Sequence, residues 1–211
     1  MKSALVETAA GAARLAVLGG FHPEPGEGLG QTLLLLGPGP DFWHHFSQCP
    51  EYRDGLPDPL DRWSRRVVTR LAEIVGATPL FPFEGPPYHP FYSWAERTGR
   101  AWPSPVSLLV HAGQGLWLSF RGALVFEEAL DLPTAQEPPC ETCPDQPCRT
   151  ACPAGALTNE GCDVSACKAW LNRPEGAECM TYGCAVRRAC PVSRGFPRAP
   201  QQSAFHMEAF R

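Results

Sequence analysis

Nine of the ten cysteines in this chain lie between Cys140 and Cys190, and only Cys49 stands outside that segment. A stretch so rich in thiols is organised by what its sulfurs hold rather than by an apolar core. The first run, CETCPDQPCRTACPAGA, spaces Cys140, Cys143, Cys148 and Cys152 as Cys-x2-Cys-x4-Cys-x3-Cys and is followed at once by Pro153. The second, CDVSACKAWLNRPEGAECMTYGCAVRRACPV, supplies Cys162, Cys167, Cys179, Cys184 and Cys190, again with proline, Pro191, after the last. Iron–sulfur clusters are held by cysteine thiolates, and the bacterial ferredoxin run is Cys-x2-Cys-x2-Cys-x3-Cys-Pro. The first run matches it with two extra residues in the middle gap. The repeated Cys-Pro ending predicts a pseudo-symmetric, ferredoxin-like module with two 4Fe-4S clusters. Two readings compete: a structural zinc site, which uses paired Cys-x2-Cys knuckles where this chain has one, and a disulfide framework.

In two-cluster ferredoxins the fourth cysteine of a run ligates the other cluster. That crossover assigns Cys140, Cys143, Cys148 and Cys190 to one cluster, and Cys152, Cys167 and Cys184 to the second. The ferredoxin pattern calls for another cysteine three residues after Cys184, where Arg187 stands. Cys179 or Cys162 would complete the set, with Cys179 preferred because it lies closer in sequence to Cys184. With neither, the second cluster is 3Fe-4S or absent.

The rest of the chain reads as a globular α/β region. With 44% hydrophobic and 19% charged residues, it is not a disordered composition. A net charge of −4 gives no general attraction to polyanions. No apolar run reaches membrane-spanning length, so no membrane partner is expected. Glu7 and Arg14 interrupt the N-terminal apolar stretch, which is therefore read as an amphipathic helix and not a secretory signal. The expected location is cytoplasmic, where structural disulfides are uncommon.

Helices are predicted over 3–13, 41–46, 58–76 and 163–173, and strands over 15–21, 32–37, 78–83, 107–111, 116–120 and 122–126. In the long helix the apolar stripe is Leu60, Trp63, Val67, Leu71 and Ile74. The polar, proline-rich segment LPTAQEPP (132–139) marks a boundary. The expected division is an α/β domain over 1–136, a cysteine module over 137–200 and a tail over 201–211.

The order of these motifs resembles the epoxyqueuosine reductases, which are cobalamin- and iron–sulfur-dependent. SLLVHAGQGLWLSFRGALVFEEALDLP before the linker, the cysteine run, CKAWL and YGCAVRRACP carry the resemblance, which covers about Leu60 to Pro191. It implies an α+β protein, with a nitroreductase-like α/β sandwich that binds cobalamin beside an appended two-cluster module. It also implies an external electron donor such as a flavodoxin or ferredoxin reductase. The family's proton-donating aspartate falls near FEGPPY, where this chain has Glu84. The family's tRNA contacts come from a helical-repeat domain beyond the clusters. This sequence ends shortly after them, and tRNA is not carried over as an expected partner.

Near Glu84, Tyr88 and His89 are the candidates for a cofactor pocket, in an aromatic loop that also holds Phe91, Tyr92 and Trp94. Cobalamin or a flavin would be the occupant. Arg62, Arg66 and Arg70 form a helical stripe, read as a solvated face in preference to a phosphate site. His44, His45 and Cys49 are read as structural. The leading function is an iron–sulfur oxidoreductase that passes electrons to a cofactor or substrate in the α/β domain. The alternatives are a non-catalytic electron carrier or cobalamin-handling protein, and a zinc-stabilised binding module.

Overall fold

A computed structural model describes residues 2–211. In chain order the elements are α1 (Lys2–Ala12), β1 (Leu15–Phe21), β2 (Thr32–Pro38), α2 (Phe42–Phe46), α3 (Pro50–Arg53), α4 (Pro59–Val75), β3 (Thr78–Leu80), α5 (Phe91–Arg97), β4 (Ala101–Pro103), β5 (Leu109–His111), β6 (Gly122–Phe126), β7 (Leu157–Thr158), β8 (Gly161–Cys162), α6 (Val164–Leu171), α7 (Ala177–Tyr182), α8 (Ala185–Ala189), α9 (Pro191–Gly195) and α10 (Pro200–Phe210). No helix among the described residues is long and apolar enough to cross a membrane.

The chain divides into two compact units. One runs up to Arg100 and resumes over Ser119–Gln136; the other comprises Ala101–Leu118 and Glu137–Arg211. The structure differs from the expected division in taking 101–118 into the cysteine-bearing unit.

The first unit is mixed helix and sheet. Its four-stranded sheet has the order β1-β2-β6-β3, and every neighbouring pair is antiparallel. Every residue of β2 and β6 is buried, as the unbroken apolar runs TLLLL and GALVF require of strands covered on both faces. The long helix α4 ends where Gly76 adopts φ +68, a left-handed cap that glycine takes without strain. Its buried face is Leu60, Trp63, Ser64, Val68, Leu71, Ala72 and Val75. The predicted stripe therefore slips by one residue in its later turns: Val68 and Val75 point inward, and Ile74 is 55% exposed. The sequence 116–120, expected as a strand, forms none, and the aromatic loop after Glu84 contains the unpredicted helix α5.

The basic stripe on α4 is neutralised. Arg62 donates two hydrogen bonds of 2.8 Å to the Asp54 carboxylate, Arg66 pairs with Glu51, and Arg70 pairs with Glu73 at 2.8 Å. These partners leave it as a solvated face rather than a phosphate cradle. Glu51 is 9% exposed, and the hydrogen bonds from Arg66 hold its carboxyl below the usual carboxylate range.

In the second unit β4 and β5 form an antiparallel hairpin, and β7 and β8 a shorter one. Val106, Val110, Leu116, Leu157 and Val186 form its core together with Cys148 and Cys190. The expected tail is part of this unit. Helix α10 packs on α7, with Gln202 and Ser203 buried. The approach is close at Gly183, where an added Cβ would lie 3.0 Å from the Ser203 Cβ.

A lowered folded-state pKa makes the Glu51–Arg66 pair stabilising above the unfolded carboxyl pKa, and that stability is lost as pH falls through the folded value. Glu51→Gln should therefore cost about 1 kcal/mol or less near pH 7. The expected signature in thermal melts is a Tm lowered by about 2–4 °C near neutrality that converges with wild type only as pH falls below the lowered Glu51 pKa.

Candidate metal centre

Ten cysteines are present and none forms a disulfide. Four from separated positions, Cys140, Cys143, Cys148 and Cys190, line one cavity of about 250 Å³, with Val110 and Leu116 among its apolar walls. Four others, Cys152, Cys167, Cys179 and Cys184, line a second, smaller void of about 30 Å³, bounded by Leu157, Leu171 and Met207.

Local chain geometry explains how the first four meet. The two residues by which the Cys143–Cys148 gap exceeds the ferredoxin run are absorbed in a turn where Asp145 (φ 61) and Gln146 (φ 37) are both left-handed. Gln146 Nε2 then donates to the Cys140 carbonyl at 3.2 Å and ties the loop closed. Cys190 arrives from far downstream. It precedes Pro191, which starts α9 at a position where a missing N–H costs nothing.

The start of α9 is fixed by the turn after β5. There His111 and Gly115 exchange backbone hydrogen bonds of 3.0 and 2.8 Å, and the Leu116 N–H donates to Ser193 Oγ at 2.8 Å. Gly115 has φ +57, and an added Cβ would lie 2.4 Å from the Ser193 backbone nitrogen, so only glycine fits there.

The second set is built on helices. Asp163 caps α6, accepting from the Ala166 N–H at 2.9 Å, and so sets the turn that carries Cys167. Cys179 lies on α7, and Cys184 is the residue from which α8 starts. Ala156 N–H donates to Cys152 Sγ at 3.2 Å. Cys179, preferred by sequence, stands in the wall of the void. Cys162 does not, although it is close enough to Cys184 and Cys152 for their charges to raise its pKa, after burial.

Crowding marks both sets electrostatically. Burial, and then the neighbouring Cys148, Cys190 and Cys143, push Cys140 up to about 11. Burial, with Cys162, Cys184, Cys152 and Cys179 behind it, does the same to Cys167. Cys148 is raised by burial and by Cys190, while Cys179 is raised by burial against an opposing hydrogen bond from the Ala185 N–H. Burial and crowding keep these thiols protonated, and a cation bound among them would reverse that preference.

Such all-thiolate sets suit zinc or iron–sulfur clusters. Among the described residues no group of three His, Cys, Asp or Glu side chains is arranged to hold a single metal ion. In the first set the four thiols stand around a void of about 250 Å³, which fits a multi-atom group. The second set has the right donors, but its void is about the volume of one water molecule, so a cluster there would displace its walls outward.

The candidate residues of the first unit do not gather in the same way. Glu84, expected as a desolvated proton donor, pairs instead with Arg65, and its side chain is 36% exposed. Arg65 itself lies over the Phe81 and Phe83 rings, 5.1 and 5.2 Å from their centroids. Tyr88 is 64% exposed and so walls no enclosed pocket, while His89 stacks on Trp94 with centroids 5.5 Å apart. Phe91 and Trp94 are buried, and Tyr92 is half exposed. His45 lies 3.3 Å from Asp41, and Cys49 Sγ donates to the His45 carbonyl at 3.3 Å, apart from the nine-cysteine segment.

Arg187, at the position of the missing cysteine, donates to the Leu116 carbonyl. Sequence reasoning missed Ser104, Val110 and Leu116 as first-cavity residues. For Val110 and Leu116 the only signal was the place of SLLVHAGQGLWLSF in the family resemblance; Ser104 lies outside that motif and had none.

The ferredoxin-type protein NapG of Haemophilus influenzae is 40% identical to this chain over 63 residues, 28% of this chain and 23% of that protein. The match thus covers less than a quarter of that protein's length. No family model matches the chain, and no solved structure matches it.

Because Gly115 seats the segment that delivers Cys190, Gly115→Ala should strain the left-handed turn and push on Ser193. The expected result is a loss of more than about 1 kcal/mol, measured as a lower urea midpoint.

Proposed function

We propose that this chain is an iron–sulfur electron-transfer protein whose second unit holds two 4Fe-4S clusters. Cys140, Cys143, Cys148 and Cys190 would hold the first; Cys152, Cys167, Cys179 and Cys184 would hold the second. The observation that carries this reading is the sorting of eight cysteines, four and four, into the walls of two voids. Cys152 and Cys190, each lining the void of the other run, are placed as the ligand exchange of two-cluster ferredoxins would require. The likeness to a ferredoxin-type protein supports the same class.

When bound, each cluster supplies a one-electron store. The chain's part is to present the thiols together for ligation, and to line the sites with Val110, Leu116, Leu157 and Leu171 so that water is kept from the sulfurs. Reduction would come from an external donor such as a flavodoxin or a ferredoxin reductase.

The resemblance of the motif order to epoxyqueuosine reductases extends the proposal to an oxidoreductase that would use cobalamin in the first unit. Addition of cobalamins and flavins to the purified protein tests that extension, and spectra unchanged by either ligand count against it.

Anaerobic purification followed by iron, sulfide and zinc analysis tests the main reading. Two clusters' worth of iron and sulfide is expected, with Cys190→Ala losing about half of the iron. A colourless protein that contains zinc and no iron would contradict the proposal, and iron unchanged in the Cys190 variant would refute the crossover.

A further inference from the structure

One buried donor at the second site has no partner. The Nε1 atom of Trp170 is shut off from solvent and makes no hydrogen bond, while the Trp170 side chain lines the same void as Cys152, Cys167, Cys179 and Cys184. An indole nitrogen is a donor only. A buried donor left without an acceptor is costly enough that native interiors rarely keep one.

The chain places this group with care. In α6, Trp170 is three residues after Cys167, so both project from one helix face, with Leu171 beside them. The end of that helix is pinned by the turn into α7. There Gly176 approaches so closely that an added Cβ would lie 2.4 Å from the Trp170 carbonyl oxygen and 2.8 Å from the Leu171 Cα. Among the residues lining the void, the thiols are the soft acceptors, and a cluster held by them would bring sulfur to the wall that Trp170 belongs to.

We infer that Trp170 is a positioning and tuning residue: its indole N–H donates a hydrogen bond to a sulfur of the second cluster and raises that cluster's reduction potential. The inference rests on the two-cluster reading above. Its physical basis is that a donor aimed at sulfur stabilises the more negative, reduced state over the oxidised one, and hydrogen bonds to sulfur are among the determinants of cluster potential. With the donor removed, the second cluster should be harder to reduce while the first keeps its potential.

The experiment is a redox titration, followed by electron paramagnetic resonance, of the anaerobically reconstituted full chain and its Trp170→Phe variant. Iron and sulfide are counted first. The reduced-to-oxidised ratio of the second cluster at a fixed potential is expected to fall about tenfold in the variant, equivalent to 59 mV for a one-electron couple. Two clusters with unmoved potentials would overturn the inference and leave the two-cluster reading standing. A wild-type protein without the second cluster would overturn both.

If Trp170→Phe fails to load, wild-type protein labelled with ¹⁵N-indole tryptophan decides the matter. A nitrogen coupling to the reduced second cluster that survives replacement by Phe of the unit's other two tryptophans, Trp102 and Trp117, the latter packed at Gly183 beside Cys184, supports the bond. Its absence from the wild-type spectrum overturns it.

Discussion

Everything in the second unit depends on bringing Cys190 against a loop that ended more than forty residues earlier in the chain. A thiol delivered from that distance has to be held by structure on both sides. On one side Cys190 and Cys148 share a core with Val106, Leu116 and Val186. On the other, Pro191 starts α9, and Ser193 in that helix accepts from Leu116. The β4–β5 segment is therefore the brace of the first cavity, which is why Ala101–Leu118 belongs with the cysteine-bearing unit although 119–136 returns to the other. The brace needs no ligand of its own. It needs Gly115, where any side chain would strike the Ser193 backbone.

The same arrangement opposes ionisation of the thiols when no metal is bound. Cys140 and Cys167 are both pushed up to about 11 by burial and by neighbouring sulfurs. The fold thus keeps these thiols neutral and close, a state that a bound cation converts to thiolate. A metal bound there would be coupled to the folding of this unit, and the apolar shell that raises the thiols would limit water at the filled sites.

Much of this was legible in the sequence, because ligand spacing is a covalent fact. The run spacing and Cys-Pro endings grouped seven of the cysteines and nearness to Cys184 favoured Cys179 over Cys162; the structure puts these eight in the walls of two voids. Helix α4 was legible from its period, but its inward face slipped by one residue at Val68 and Val75, since periodicity fixes a stripe only to within a neighbouring position. Strand-like composition misled over 116–120: Leu116 and Trp117 are apolar because they pack in the second unit, not because they extend a sheet. Helix α10 looked like a tail because the residues it buries, Gln202 and Ser203, are polar and carry no apolar period. Glu84 looked desolvated from its flanking strand and prolines, and no local signal disclosed that Arg65, nineteen residues earlier, would pair with it.

The most direct test of the account is anaerobic diffraction from crystals of the purified protein at the iron edge. Two iron peaks are predicted, one bounded by Cys140, Cys143, Cys148 and Cys190, the other by Cys152, Cys167, Cys179 and Cys184. A cluster held by the consecutive set Cys140, Cys143, Cys148 and Cys152, or zinc in place of iron at both sites, would contradict it.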